Sequence, residues 1–245
     1  MLRKLWVRWR DRGRGRTAET IGWCRQRQID PVQWASSIDS SLWEEAEAFA
    51  REQRLLAARK SEEVGTQLGG AGFYELLYFL TRLSRPKTIV ETGVAFGFSS
   101  RAFLLALARN GRETGRLYSS DFPYFRMADP ERIIGCLVER ELRQNWLLLI
   151  GSDRQNLKVI ARDAPPIDLL HYDSDKSYSG REFALRILGP RLADDAVILF
   201  DDIQDNSHFR DFVEESGHAY LVFEFEGKWI GLTGGGVPLP EGTKG

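Results

Sequence analysis

Two short stretches carry the residues best suited to chemistry. Asp173-Ser174-Asp175-Lys176 sets a carboxylate and an amine three residues apart, and Asp201-Asp202 supplies an adjacent acidic pair. Each follows an apolar run, Ile167 to Tyr172 and Ala196 to Phe200, that reads as a buried strand. Neighbouring strands of a parallel sheet end on one edge, where ligands of such sheets bind. Three carboxylates gathered there cannot all stay ionised unless a positive charge offsets them. A hard divalent ion with oxygen ligands, typically Mg²⁺, is one answer. Lys176 is the other, either neutralising the cluster or, with its pKa lowered by a nearby metal, serving as general base.

A second site of chemistry is the turn T-I-V-E-T-G-V-A-F-G-F-S-S, residues 88 to 100. It reads as strand, glycine turn and helix, a unit that binds nucleotide-like ligands. A dinucleotide pyrophosphate needs G-x-G-x-x-G, but only Gly93 and Gly97 are in place, with Ala95 and Phe98 at the other positions. The pattern E-x-G-x-x-x-G suits instead a ligand with an ammonium and a carboxylate, since Glu91 stands beside the turn and Ser99 at the helix start. S-adenosylmethionine has both groups. A plain tight βα turn in some other α/β domain would look the same on this stretch alone.

The elements that must position these residues alternate. Strands are predicted at Thr88 to Val90, Arg116 to Ser120, Trp146 to Ile150, Ile167 to Tyr172 and Ala196 to Phe200, with helices between them, including one from about Pro130 to Arg143. Tyr220 to Glu226 and Lys228 to Leu232, separated by Gly227, read as a closing antiparallel hairpin. The expected fold is α/β, doubly wound and Rossmann-like: a mostly parallel seven-stranded sheet behind an N-terminal helical extension. The expected division is residues 1–65 for the extension and 66–245 for the main domain, with 65–72, G-T-Q-L-G-G-A-G, as linker. Within the extension, Ser41-Leu42-Trp43-Glu44 has capping-box spacing.

Every predicted parallel strand ends in acid. Asp121, about 30 residues beyond Glu91, is placed for ribose hydroxyls. Asp153, in Gly151-Ser152-Asp153, could meet an adenine amino group. Either could instead cap the following turn or helix. His208, just beyond the last parallel strand, could reach the same edge, though a helix-surface position is the commoner outcome. The aromatics of residues 122–129 could stack on a ring or pack.

Composition bounds the function. The chain has 245 residues and a formal net charge of -1. Residues 1–16 hold seven basic residues and one acid, +6, which leaves about -7 for the rest and argues against a nucleic-acid groove. Leu2, Leu5, Trp6 and Trp9 share one helical face of that basic segment. It could contact an anionic membrane surface or acidic partner, or pack on its own domain or on a second subunit of a homodimer. Two cysteines, Cys24 and Cys136, lack metal-ligand spacing and suggest neither a disulfide framework nor zinc. No apolar run reaches the length of a membrane span, so a soluble, cytoplasmic protein is expected.

From Phe73 onward these residues resemble class I S-adenosylmethionine-dependent methyltransferases. I-D-L-L-H-Y-D-S-D-K-S-Y (167–178) followed by V-I-L-F-D-D (197–202) is similar to the cation-dependent small-molecule O-methyltransferases of the catechol and caffeoyl-CoA type. The resemblance implies that Glu91, Gly93, Gly97 and Ser99 form the cofactor loop, that Asp121 meets the ribose, and that Ser152 and Asp153 lie at the adenine end. It implies that Asp173, Asp201 and Asp202 hold the cation, and that Asp173 and Lys176 act on a small-molecule hydroxyl. Two positions depart from the pattern: Asp202 stands where Asn is usual, and Ala95 where glycine is common. A non-catalytic nucleoside-binding module attached through the basic segment is the rival reading.

Overall fold

Apolar and β-branched runs build the strands, and polar turns and glycines break them. The computed structural model describes residues 17–64, 72–111, 115–123 and 130–239. In chain order these form helix α1 (Ala18–Arg27), strand β1 (Gln28–Ile29), α2 (Pro31–Val64), α3 (Tyr74–Ser84), β2 (Thr88–Thr92), α4 (Phe98–Asn110), β3 (Arg116–Asp121) and α5 (Pro130–Ile133). They continue through β4 (Trp146–Ile150), α6 (Asp153–Asp163), β5 (Ile167–Tyr172), α7 (Tyr178–Leu188), β6 (Leu192–Phe200), α8 (His208–Ser216), β7 (Tyr220–Phe225) and β8 (Lys228–Thr233). The basic segment 1–16, the glycine-rich residues 65–71 and residues 124–129 of the aromatic segment lie outside the described residues. No helix among the described residues is long and apolar enough to cross a membrane.

The sheet order is β1-β7-β8-β6-β5-β2-β3-β4. Neighbours run parallel except β8, which is antiparallel to both β6 and β7. After the edge strand β1, the chain enters the middle of the sheet at β2, winds outward to β4, then returns to β5 on the other side of β2, so the order reverses between β2 and β5. Side chains alternate between two cores as the pleat requires. Ile89, Leu169, Leu199 and Phe223 meet α2, α3 and α4 through Trp34, Trp43, Phe79 and Phe103. Val90, Leu170, Ile198 and Val222 meet the other helices through Trp23, Leu157, Phe183 and Phe209.

Four sequence expectations change. The sheet has eight strands, because Gln28 and Ile29 pair in parallel with Val222 and Phe223 where the sequence reads as helix. Pro31 favours extended backbone just before it, and the Trp229 indole N–H donates to Gln28 Oε1 at 2.7 Å. The helix expected over 130–143 is instead the single turn α5, a glycine turn and a 3₁₀ segment, Arg140–Asn145. Gly135 has φ +71° and its N–H donates to Ala95 O (2.9 Å), while Leu137 N–H donates to Phe96 O (3.0 Å). Those amides brace the glycine turn and cannot also close helical rings. Within α2 the break and cap fall at Asp39 (φ −156°), whose Oδ1 accepts from Leu42 N–H and Ser41 Oγ, two residues before the expected cap. Finally, His208 is 5% exposed, not on the helix surface, with its ring against Tyr178, Phe200 and Phe212.

Burial, with Arg181 nearby, pushes the His208 imidazole down to about 3. The unfolded chain then binds the extra proton between pH 6.5 and 3, so this residue's stability is complete above 6.5 and is lost as pH falls. Urea midpoints should show wild type losing about 2 kcal/mol more between pH 6.5 and 5 than His208→Leu does. Equal losses would show that His208 charges freely in the fold.

Candidate active site

The glycine turn stands on a buried polar scaffold. Glu91, at the penultimate position of β2, is fully buried and accepts hydroxyl hydrogen bonds from Ser99 (2.5 Å), Ser100 (2.6 Å) and Ser119 (2.7 Å). Burial pushes its carboxyl up to about 7 against those three donors. Asp121, at the end of β3, accepts from the backbone N–H groups of Val94 (3.2 Å) and Ala95 (2.7 Å) through Oδ2. Asp153 accepts from Ser120 (2.8 Å) and Ser174 (2.6 Å), tying α6 to β3 and to the loop after β5. Ser152 is the N-cap residue of α6, with its Oγ 3.0 Å from Gln155 Oε1. These acids, which the sequence presents as ligand-facing, make these bonds inside the protein and lie outside the cavity lining.

Glycine is required in the turn by close approach. Gly93 has φ +82°, and a Cβ there would collide with the Asp173 carbonyl oxygen. Gly97, at φ +94°, opens α4 and leaves room for Gly135 only without a side chain. Ala95 adopts φ +50°, a left-handed conformation that glycine takes at lower cost.

The second half of the site hangs from β5 and β6. Asp173 N–H donates to Thr92 O (3.1 Å) and to Thr92 Oγ1 (3.0 Å), so the end of β5 is locked to the end of β2. Lys176 Nζ forms an ion pair with Asp173 Oδ1 at 2.8 Å and also donates to Asp202. Lys228 Nζ donates to Asp201 Oδ2 at 2.8 Å. Arg181, fully buried, donates through Nη2 to the carbonyls of both Asp201 (2.7 Å) and Asp202 (2.8 Å). That clamp holds Asp202 in its left-handed conformation, φ +50°. Gln204 completes the frame, donating to Asp202 Oδ1 (3.2 Å) and accepting Trp229 N–H (2.9 Å).

A cavity of about 470 Å³ joins the two halves. Its lining includes Gly93, Val94, Ala95 and Ser99 of the turn, then Asp173, Lys176, Asp201, Asp202 and Lys228 of the charged cluster. Phe73, Leu77, Phe98, Leu199 and Ile230 form an apolar wall, and Gly72 is the one described residue of the glycine-rich loop to reach it. His171 also lines it: 6% exposed, Nδ1 without a hydrogen bond, and pushed down to about 4 by burial. His208 does not line the cavity. Sequence reasoning missed Lys228, Arg181 and His171. Lys228 sits on the hairpin, Arg181 reads as an ordinary helix arginine, and His171 lies inside an apolar strand, so spacing along the chain marks none of them.

The cluster's charges are tightly coupled. Burial and the neighbouring Asp201 carboxylate push Asp173 up to about 8. For Asp201 burial opposes ionisation, but the ammoniums of Lys228 and Lys176 outweigh it and hold the carboxyl below its ordinary value. Burial likewise opposes the charge on Lys176, and the adjoining carboxylates outweigh it and raise its pKa. Ligand oxygens of Asp173, Asp201 and Asp202 come within 4.8 Å of one another. An all-carboxylate donor set fits a hard divalent cation.

Comparison with known proteins agrees with this geometry. A family profile described as a methyltransferase domain matches residues 90–203, from β2 to just beyond the acidic pair. No curated protein matches the chain. Among solved structures, a candidate caffeoyl-CoA O-methyltransferase from Staphylococcus aureus superposes with a TM-score of 0.60 at 12% identity, over 79% of this chain and 99% of that one. An O-methyltransferase from Bacillus cereus in complex with SAH gives 0.57 at 16%, over 75% and 90%. The O-methyltransferase of tomaymycin synthesis from Streptomyces achromogenes, in complex with SAM, gives 0.56 at 19%, over 74% and 87%. At these identities the superpositions show the fold, and the profile match covers residues 90–203, so the chain is similar to methyltransferases in its fold and across that stretch.

Proposed function

We propose that the protein transfers the methyl group of S-adenosylmethionine to a hydroxyl oxygen of a small molecule, with a divalent cation assisting. The observation that carries this reading is the single cavity joining the glycine turn to the Asp173, Asp201, Asp202 and Lys176 cluster. A donor on the turn and an acceptor on the cluster would meet inside it.

A sulfonium methyl needs little electrophilic help, so the protein's contribution is alignment, exclusion of water and removal of the hydroxyl proton. In this reading the glycine turn, with Ser99 at its helix end, seats the donor's amino-acid end. The apolar wall of Phe73, Leu77, Phe98, Leu199 and Ile230 keeps water from the line of attack. Asp173, Asp201 and Asp202 would hold the cation. When bound, it supplies positive charge that favours the ionised hydroxyl. Lys176, fixed between Asp173 and Asp202, takes the proton in its neutral form. Without the cation the adjoining carboxylates raise its pKa, and a cation held by those carboxylates would offset that rise and favour the neutral amine.

Calorimetric titration of the folded chain with S-adenosylmethionine should give one saturable site, and its absence would remove the reading. In a screen of hydroxylated acceptors, from phenols to sugars, chelator or Asp173→Asn should each cut turnover at least ~100-fold. Undiminished turnover in chelator would overturn the cation's part. Lys176→Met should cut kcat by about 10²–10⁴, and an undiminished kcat would assign the proton elsewhere. Gly93→Ala should weaken S-adenosylmethionine binding at least ~10-fold by calorimetry, because its Cβ drives the turn away from Asp173; unchanged affinity would detach the donor from this turn.

A further inference from the structure

With all five groups charged, three carboxylates and two ammoniums face the cavity, a formal balance of −1 from Asp173, Asp201, Asp202, Lys176 and Lys228. Lys176 is shared between Asp173 and Asp202, which leaves Asp201 to Lys228. Both members of that last pair are withdrawn from water, with side chains 9% and 18% exposed. A lysine opening a hairpin strand ordinarily keeps its ammonium solvated. This one is turned inward and fixed from both ends. Its neighbour Trp229 donates its backbone N–H to Gln204, which in turn donates to Asp202, and the Trp229 indole donates to Gln28. Adjacent hairpin residues 228 and 229 therefore engage adjacent acids 201 and 202, one directly and one through Gln204. Arg181 hydrogen-bonds the carbonyls of those acids, so among the described residues the direct ion pairs to their carboxylates come from the two lysines.

We propose that Lys228 is the resident counter-charge of the acidic cluster, a positioning residue that keeps Asp201 aimed into the cavity and weakens the cluster's grip on a divalent cation by competing for Asp201 Oδ2. The second part rests on the cation-assisted reading given above; the first does not. Removing the ammonium leaves the cluster at −3 + 1 = −2. Removing one carboxylate as well, without changing shape, returns it to −1. Stability and cation affinity should therefore follow the charge balance, whereas a packing role would follow shape.

The test uses the full chain, stripped of metal, as wild type, Lys228→Met, Lys228→Arg, Asp202→Asn and the Lys228→Met/Asp202→Asn pair. Lys228→Met should melt about 5 °C lower, Lys228→Arg near wild type, and the paired variant should recover at least half the loss. Additive melting shifts would overturn the counter-charge. Free Mn²⁺ followed by electron paramagnetic resonance should show Lys228→Met binding roughly tenfold tighter than wild type, with the pair returning toward wild type. Unchanged or weaker binding in Lys228→Met would overturn the competition. No Mn²⁺ binding by any chain would overturn the competition and the cation-assisted reading together, while non-additive melting would still support the counter-charge.

Discussion

The ends of β2 and β5 approach so closely that nothing larger than hydrogen fits on Gly93 beside the Asp173 carbonyl. Two hydrogen bonds from the Asp173 amide, to Thr92 O and to Thr92 Oγ1, hold the strands at that separation. This contact lies where the strand order reverses, the place at which an open parallel sheet parts its loops and leaves a crevice. One side of the crevice is the glycine turn and the other is the acidic cluster, so a shift of this one backbone contact moves both together. The rest of the site is secured from behind: Arg181 under the acidic pair, Gly135 and Leu137 beneath the turn, and Gln204 between the pair and the hairpin.

Buried polar groups do two different jobs on this edge. Glu91, Asp121 and Asp153 have their oxygens engaged by serine hydroxyls and turn amides, which turns carboxylates into structural acceptors. Asp173, Asp201 and Asp202 face an open volume with lysines as their main partners. Acids at or near the same sheet edge thus sit in opposite environments, because serines from neighbouring strands, loops and helices saturate Glu91 and Asp153, and backbone amides of the glycine turn engage Asp121.

That difference also sets what could be read from the chain. The parallel strands, their acids, the glycine turn and the closing hairpin were legible because period-2 apolar runs and turn residues are local signals. Lys176 was legible because it sits three residues from Asp173. Lys228 was not, since its partner is 27 positions away and the pairing exists only after the hairpin folds back on β6. The helix expected over 130–143 failed for a like reason: its amides bond to Ala95 and Phe96, contacts that no propensity in the segment reports. His208 looked exposed by position, and only the aromatic neighbours brought by β6, α7 and α8 bury it.

The edge strand β1 ties the earliest described part of the chain to the latest. Gln28 pairs with Val222, Arg27 donates to Tyr220, and the Trp34 indole donates to Pro238 O, across 204 positions. Contacts of such separation form late in folding, since the loop-closure cost falls due before they stabilise anything. Trp23 packs on Phe209 and Tyr220, and Trp34 on Phe79 and Phe223, so neither ring is fully covered until β7 has been made.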